Sequence, residues 1–106
     1  MRKQNHPASF GDRLRFVIWL SALRLGTDSA KELSEVLGKG KNQLSKWVAE
    51  NPKPGFPTIK RIADVVGVSP SWLDDPTSSD AREPEFFAEW YAARLERQRA
   101  GARKHA

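Results

Sequence analysis

Apolar residues along the chain fall at helical spacing, and between Ser29 and Glu50 they mark two short helices. In the first, Leu33, Val36 and Leu37 share one stripe. Ser29 opens this helix with Glu32 three residues on, the capping-box spacing in which two side chains satisfy backbone donors at a helix start. Gly38 stands where the chain must turn left-handed to leave the helix. A second helix is predicted to begin near Lys41. Its Leu44, Trp47 and Val48, at i, i+3 and i+4, point towards a core. Lys41, Asn42, Gln43, Ser45 and Lys46 take the rest of its surface.

The flanks also read as helices. Phe10 to Leu25 is apolar almost all round: Leu14, Ile18, Ala22 and Leu25 mark one side, and Phe16, Trp19, Leu20 and Leu23 the other. Such a helix must be covered on both sides. Ser9 or Gly11 is placed to cap it. Asn51 to Pro57 is a loop, because proline removes donors and restrains the residue before it. Thr58 is expected to cap a further helix whose Ile59, Ile62, Ala63 and Val66 face inward and which Gly67 closes. Ser69-Pro70 supplies a cap and a first-position proline for a short helix carrying Trp72 and Leu73. Trp47 and Trp72 are both expected in the core.

Asp74 to Arg82 is a polar linker. A last helix is predicted from Pro84 to about Ala100, with Glu83, Glu85 and Glu89 near its start and Arg94, Arg97 and Arg99 near its end, as the helix dipole favours. It carries an aromatic face of Phe86, Phe87, Trp90, Tyr91 and Leu95. At ~25 cal/mol per Å² and roughly 150–250 Å² for each ring, burying that face contributes several kcal/mol, so it needs a partner surface. Three destinations stand open: this chain's own first helix (Phe16, Trp19, Leu23), a second copy of the chain, or a different protein.

Charge narrows the partner. Lys plus Arg number 18 against 13 Asp plus Glu, a net +5, with an isoelectric point near 9.9. This favours an anionic partner. From Lys39 through Lys46 there are three lysines (Lys39, Lys41, Lys46) and no acid. A helix with an apolar back and a front of Lys, Asn and Gln suits the major groove of DNA. Asn and Gln pair with adenine edges, Lys reaches guanine acceptors, and the lysines attract phosphate. Lys53, in the proline-rich loop, is a candidate phosphate contact or a solvated lysine. The first residues, Met1 to Ala8, carry Arg2, Lys3 and His6 and read either as a basic arm reaching DNA or as a frayed end.

The chain has no cysteine, which excludes disulfides, thiolate metal sites and cysteine nucleophiles. There is no run of about 18 apolar residues and no apolar segment after the first basic residues, so neither a membrane span nor a secretory signal is expected. His6 and His105 lie near the ends, Asp74-Asp75 reads as a helix-end turn, and no phosphate loop or metal-ligand spacing occurs. An enzyme, a metal and a cofactor are not expected.

The ordered set Leu33, Ser34, Leu37, Gly38, Leu44 and Trp47, followed by Ile59, Ile62, Ala63, Val66, Gly67, Val68, Ser69, Trp72 and Leu73, resembles the helix-turn-helix of the Cro/cI repressor (XRE) family over roughly Phe10 to Asp75. The resemblance implies an all-α, five-helix Cro/cI-like domain followed by a C-terminal amphipathic aromatic helix. The corresponding boundaries are 1–8 for a basic arm, 9–75 for the DNA-binding domain, 76–83 for a linker, and 84–106 for the last helix and a basic tail. Base reading falls to Lys41, Asn42, Gln43 and Lys46. Phosphate contacts fall to Ser29, Ala30, Lys39, Gly40, Ser45 and Lys53. Ala30 and Gly40 depart from the polar residues usual at those two helix starts, leaving backbone amides as the phosphate donors there.

The function implied is a cytoplasmic, nucleoid-associated regulator of bacterial or phage origin, a dimeric repressor reading an inverted repeat in double-stranded DNA. In that case Phe16, Trp19, Leu23, Phe86, Phe87, Trp90, Tyr91 and Leu95 form the dimer or partner interface. The alternative is an antitoxin or other protein-interaction module whose aromatic helix holds a partner such as a toxin.

Overall fold

The computed structural model describes residues 8–26, 30–38 and 43–105. Its elements are α1 (Phe10–Leu25), α2 (Ala30–Val36), α3 (Gln43–Val48), α4 (Phe56–Val66), α5 (Pro70–Asp74) and α6 (Phe87–His105). The fold is all-helical: five helices in one body and a sixth laid against it. The predicted cap at Ser9 forms, its hydroxyl accepting from the Asp12 amide at 3.1 Å. Gly38 turns left-handed at φ 74°, a conformation that carries no Cβ penalty only in glycine.

Two helix starts differ from expectation. α4 begins at Phe56, with Gly55 rather than Thr58 as its cap. Pro57 fits inside the first turn because its missing amide hydrogen would find no helical partner there anyway. α6 begins at Phe87 rather than Pro84. Phe86 sits at φ 73°, which breaks any helix running in from Pro84.

The core is made by Leu14, Phe16, Val17 and Leu20 of α1, with Leu33 and Leu37 from the α2 segment, Leu44 and Trp47 of α3, Ile59, Ile62, Ala63 and Val66 of α4, and Trp72 and Leu73 of α5. Trp47 and Trp72 are core residues, as their spacing indicates. The second cover for α1 comes from α6. Phe16 stands at the centre of an aromatic cluster, its ring centroid 5.2 Å from Phe87, 5.5 Å from Trp90, 5.5 Å from Trp19 and 6.1 Å from Trp72. Most of these contacts are edge-to-face, the arrangement aromatic quadrupoles favour. Of the three destinations left open for the aromatic face, its own chain takes the larger part.

One buried charge closes the body. Arg13 of α1 donates through Nε to the Leu73 carbonyl (3.1 Å), through Nη2 to the Asp74 carbonyl (3.1 Å) and through Nη1 to the Ala8 carbonyl. Burial lowers its pKa from the ordinary arginine value, while Asp75, Glu50 and Asp74 oppose that shift. Asp75 is itself held below the ordinary carboxylate value, first by the Thr77 hydroxyl and then by the Thr77 amide. The linker is not free of the body: Ala81 packs on the core and the Arg82 amide donates to the Ser69 hydroxyl at 3.4 Å.

Candidate nucleic-acid interface

The back of α3 fixes its front. Leu44 and Trp47 are buried against the core, and Val48 is half-buried. The six residues of α3 therefore have one rotational setting, which leaves Ser45 and Lys46 exposed and Gln43 half-exposed at the helix start. α2 and α1 both pack on α3. The approach of α1 is unusually close at Gly11: a Cβ there would collide with the Val48 carbonyl oxygen. The Gly11 amide also points at the Glu50 carboxylate, at 3.4 Å.

The structure brings Gln43, Ser45 and Lys46 to one exposed surface. Ala30 opens α2. Ser29, Lys39, Gly40, Lys41 and Asn42 lie outside the described residues. Lys53 is engaged within the chain. Its ammonium is 3.1 Å from the Asp74 carboxylate and 3.1 Å from the Asp74 carbonyl, and it sits 5.3 Å over the Phe10 ring. It ties the α3–α4 loop to the end of α5, where Arg13 also donates to the Asp74 carbonyl.

Sequence reasoning missed Arg15. An open groove of about 360 Å³ separates α1 from α3, lined by Arg15, Ile18, Ser45, Val48 and Ala49. Arg15 thus stands beside the exposed flank of the recognition helix, steadied by Asp12 at 3.4 Å. The signal was available: Arg13 and Arg15 are the two cations inside an otherwise apolar stretch of α1.

The aromatic residues divide. Phe16 and Phe87 are buried within this chain and cannot also face a partner, which corrects their place in the expected interface. Trp90 and Tyr91 are half-buried on the same cluster. Trp19, Leu23, Phe86 and Leu95 remain on the surface, Leu23 at 65% exposure and Phe86 at 54%. α6 is held further by Asp12, which faces Arg94 at 3.6 Å and lies near the Tyr91 hydroxyl. The Tyr91 phenol is raised above its ordinary pKa by burial first and by Asp12 second.

Two short helices joined by a turn at Gly38, the second presenting a polar front beside a basic flank, define the class of DNA-binding helix-turn-helix proteins. The model of the helix-turn-helix family matches residues 22–73, which takes in α2, the turn, α3, α4 and most of α5. This segment belongs to that family, in its Cro/cI-type (XRE) form, which supports a DNA-binding transcriptional regulator of that type. Searches of curated proteins and of solved structures find no match. Among the described residues no helix is long and apolar enough to cross a membrane, and no group of His, Cys, Asp and Glu is placed to hold a metal ion.

Proposed function

We propose that the protein is a sequence-specific reader of double-stranded DNA that acts as a dimeric repressor at an inverted repeat. The observation that carries this is the fixed rotational setting of α3: with Leu44 and Trp47 buried, Ser45 and Lys46 point outward and Gln43 stands half-exposed at the helix start. Lys41, Asn42, Gln43 and Lys46 read base edges in the major groove. Ser29, Ala30, Lys39, Gly40 and Ser45 position the backbone. One such helix spans only a few base pairs. A two-fold pair places two of them about one DNA turn apart, roughly 34 Å. Trp19 and Leu23, at i and i+4 on α1, and Phe86 and Leu95 are the residues of the aromatic face and its α1 partner that stay exposed and open to a second copy.

The test is selection from a random duplex pool with the purified protein, followed by sedimentation of the free protein and the complex. Enrichment of an inverted repeat bound by two chains supports the reading. Salt-sensitive binding without any enriched motif refutes sequence reading. An enriched half-site bound by one chain refutes the dimer. Copurification of a stoichiometric second protein on the Trp19 and Leu23 face would instead favour the antitoxin reading.

A further inference from the structure

Most of the net positive charge of this protein lies outside its recognition helix, whose three nearby lysines are offset by acids elsewhere in the body. Residues 92–106 hold five cations (Arg94, Arg97, Arg99, Arg103, Lys104) and one acid (Glu96), a net +4 of the chain's +5. Everything before them, the whole helix-turn-helix included, is left with +1. A body so close to neutral gains little from the long-range attraction that dominates protein–DNA affinity.

The path of α6 shows where that charge goes. Phe87 and Trp90 lie against Phe16, while Tyr91 and Arg94 lie at Asp12, so α6 runs antiparallel to α1. Asp12 is in the first turn of α1. After Arg94 there is almost no α1 left to pack on, and residues 95–100 are all exposed. The helix continues to His105, so about 16 Å of it runs on beyond the docked part. It leaves at the end of α1 where Gly11 meets Val48, the last residue of the recognition helix. Asp12 joins the two regions: it holds Arg94 on one side and Arg15, beside Ser45, on the other.

We propose that the projecting half of α6 is a second DNA-binding element, which lies along the phosphate backbone next to the recognition helix and supplies most of the electrostatic, sequence-independent affinity. The inference rests on the DNA-binding reading above. Arg97 and Arg99 are the exposed side chains that carry it, Arg99 lying 3.3 Å from Glu96, while Arg15 and Arg94, both paired with Asp12, link this helix back to the flank of α3. The helix has the composition for this role and for little else: past Leu95 its residues are charged, amide-bearing, small or glycine, with no apolar stripe for a protein partner.

The experiment compares the wild-type chain with R97Q/R99Q and R97K/R99K on a random-sequence 30-base-pair duplex, titrated between about 50 and 200 mM salt. Glutamine keeps helix propensity and lysine keeps charge, and the docking residues Phe87, Trp90, Tyr91 and Arg94 are untouched. Circular dichroism and the melting temperature check that all three chains fold alike. At about 0.9 unit of log–log salt slope per phosphate contact, R97Q/R99Q should lose one to two units and bind several-fold to tens-fold more weakly at low salt, while R97K/R99K keeps the wild-type slope. An unchanged slope in R97Q/R99Q, with the wild type still binding duplex, overturns the second element and leaves the helix-turn-helix reading in place. Loss of slope in both variants means that charge is not the cause, and also overturns it. A wild-type chain that binds no duplex at all removes both.

Discussion

Replacing Gly11 by alanine sets two effects of one methyl group against each other. Alanine is the better helix former, by up to about 1 kcal/mol in a helix interior and less in the first turn, where Gly11 sits. Against this, the new Cβ meets the backbone carbonyl oxygen of Val48, not the tip of a flexible side chain. α1 and α3 must move apart, and overpacking of this kind costs about 1–3 kcal/mol. The obstacle is backbone, so the upper part of that range applies and the net loss is about 2 kcal/mol. For a domain of this size the melting temperature should fall by on the order of 10 °C. Gly101 is the internal control. It is also helical, nothing lies within 4 Å of the Cβ it would gain, and Gly101→Ala should be neutral or stabilising by up to about 1 kcal/mol. Reversible urea unfolding followed by tryptophan fluorescence reads both variants. Because α3 moves with its carbonyl, Gly11→Ala should also weaken duplex binding at temperatures where the variant is fully folded. A Gly11→Ala protein as stable as the wild type would refute the claim that the α1–α3 distance is set at this residue.

Arg13→Met should lower stability by about 3 kcal/mol in the same melts, since it removes the guanidinium donors from the Leu73, Ala8 and Asp74 carbonyls at once and leaves only Lys53 on the last of them. Phe87→Ala should cost about 3–4 kcal/mol and expose the Phe16 and Trp72 rings, seen as faster amide exchange along α6 and altered tryptophan emission. Ser34→Ala should stabilise by about 1 kcal/mol in urea unfolding, because the Ser34 hydroxyl is buried with no hydrogen-bond partner among the described residues. Asp75 has a depressed folded pKa, so its contribution is present above the unfolded carboxylate value and is lost as pH falls through the folded one. The melting-temperature gap between wild type and Asp75→Asn should therefore be open at neutral pH and close as pH drops below about 4.

Helix periodicity made α1 to α5 legible in the sequence, because each buries a stripe and each start or stop carries a residue with local chemistry of its own, such as Ser9, Gly38, Gly67 and Ser69. The two displaced helix starts had competing local signals. Thr58 is a good cap, but Pro57 before it is a better first-turn residue, and the helix takes in both. Pro84 is a good first residue, but the chain bends at Phe86, and no local rule predicts a left-handed phenylalanine. Arg13, Arg15 and Lys53 were harder to place because a cation's role depends on which carbonyls or carboxylates lie across the fold, at separations of 60 residues for Arg13 and Leu73. The aromatic face of α6 was recognised as needing cover, yet whether that cover came from the same chain depended on the path of the linker.

The clasp at Arg13 also has a mechanical meaning. It gathers the point where the chain enters the five-helix body, at Ala8, and the points where it leaves, at Leu73 and Asp74, onto one guanidinium. The body is thus a closed loop buckled at Arg13, with Lys53 as a second tie on Asp74. A pull on the chain at Ala8 is borne by those hydrogen bonds, and a pull from the far end reaches them once α6 and the linker have parted from the body. Tugging on one end of a DNA-bound molecule should release its two boundaries before it disturbs the grip of α3.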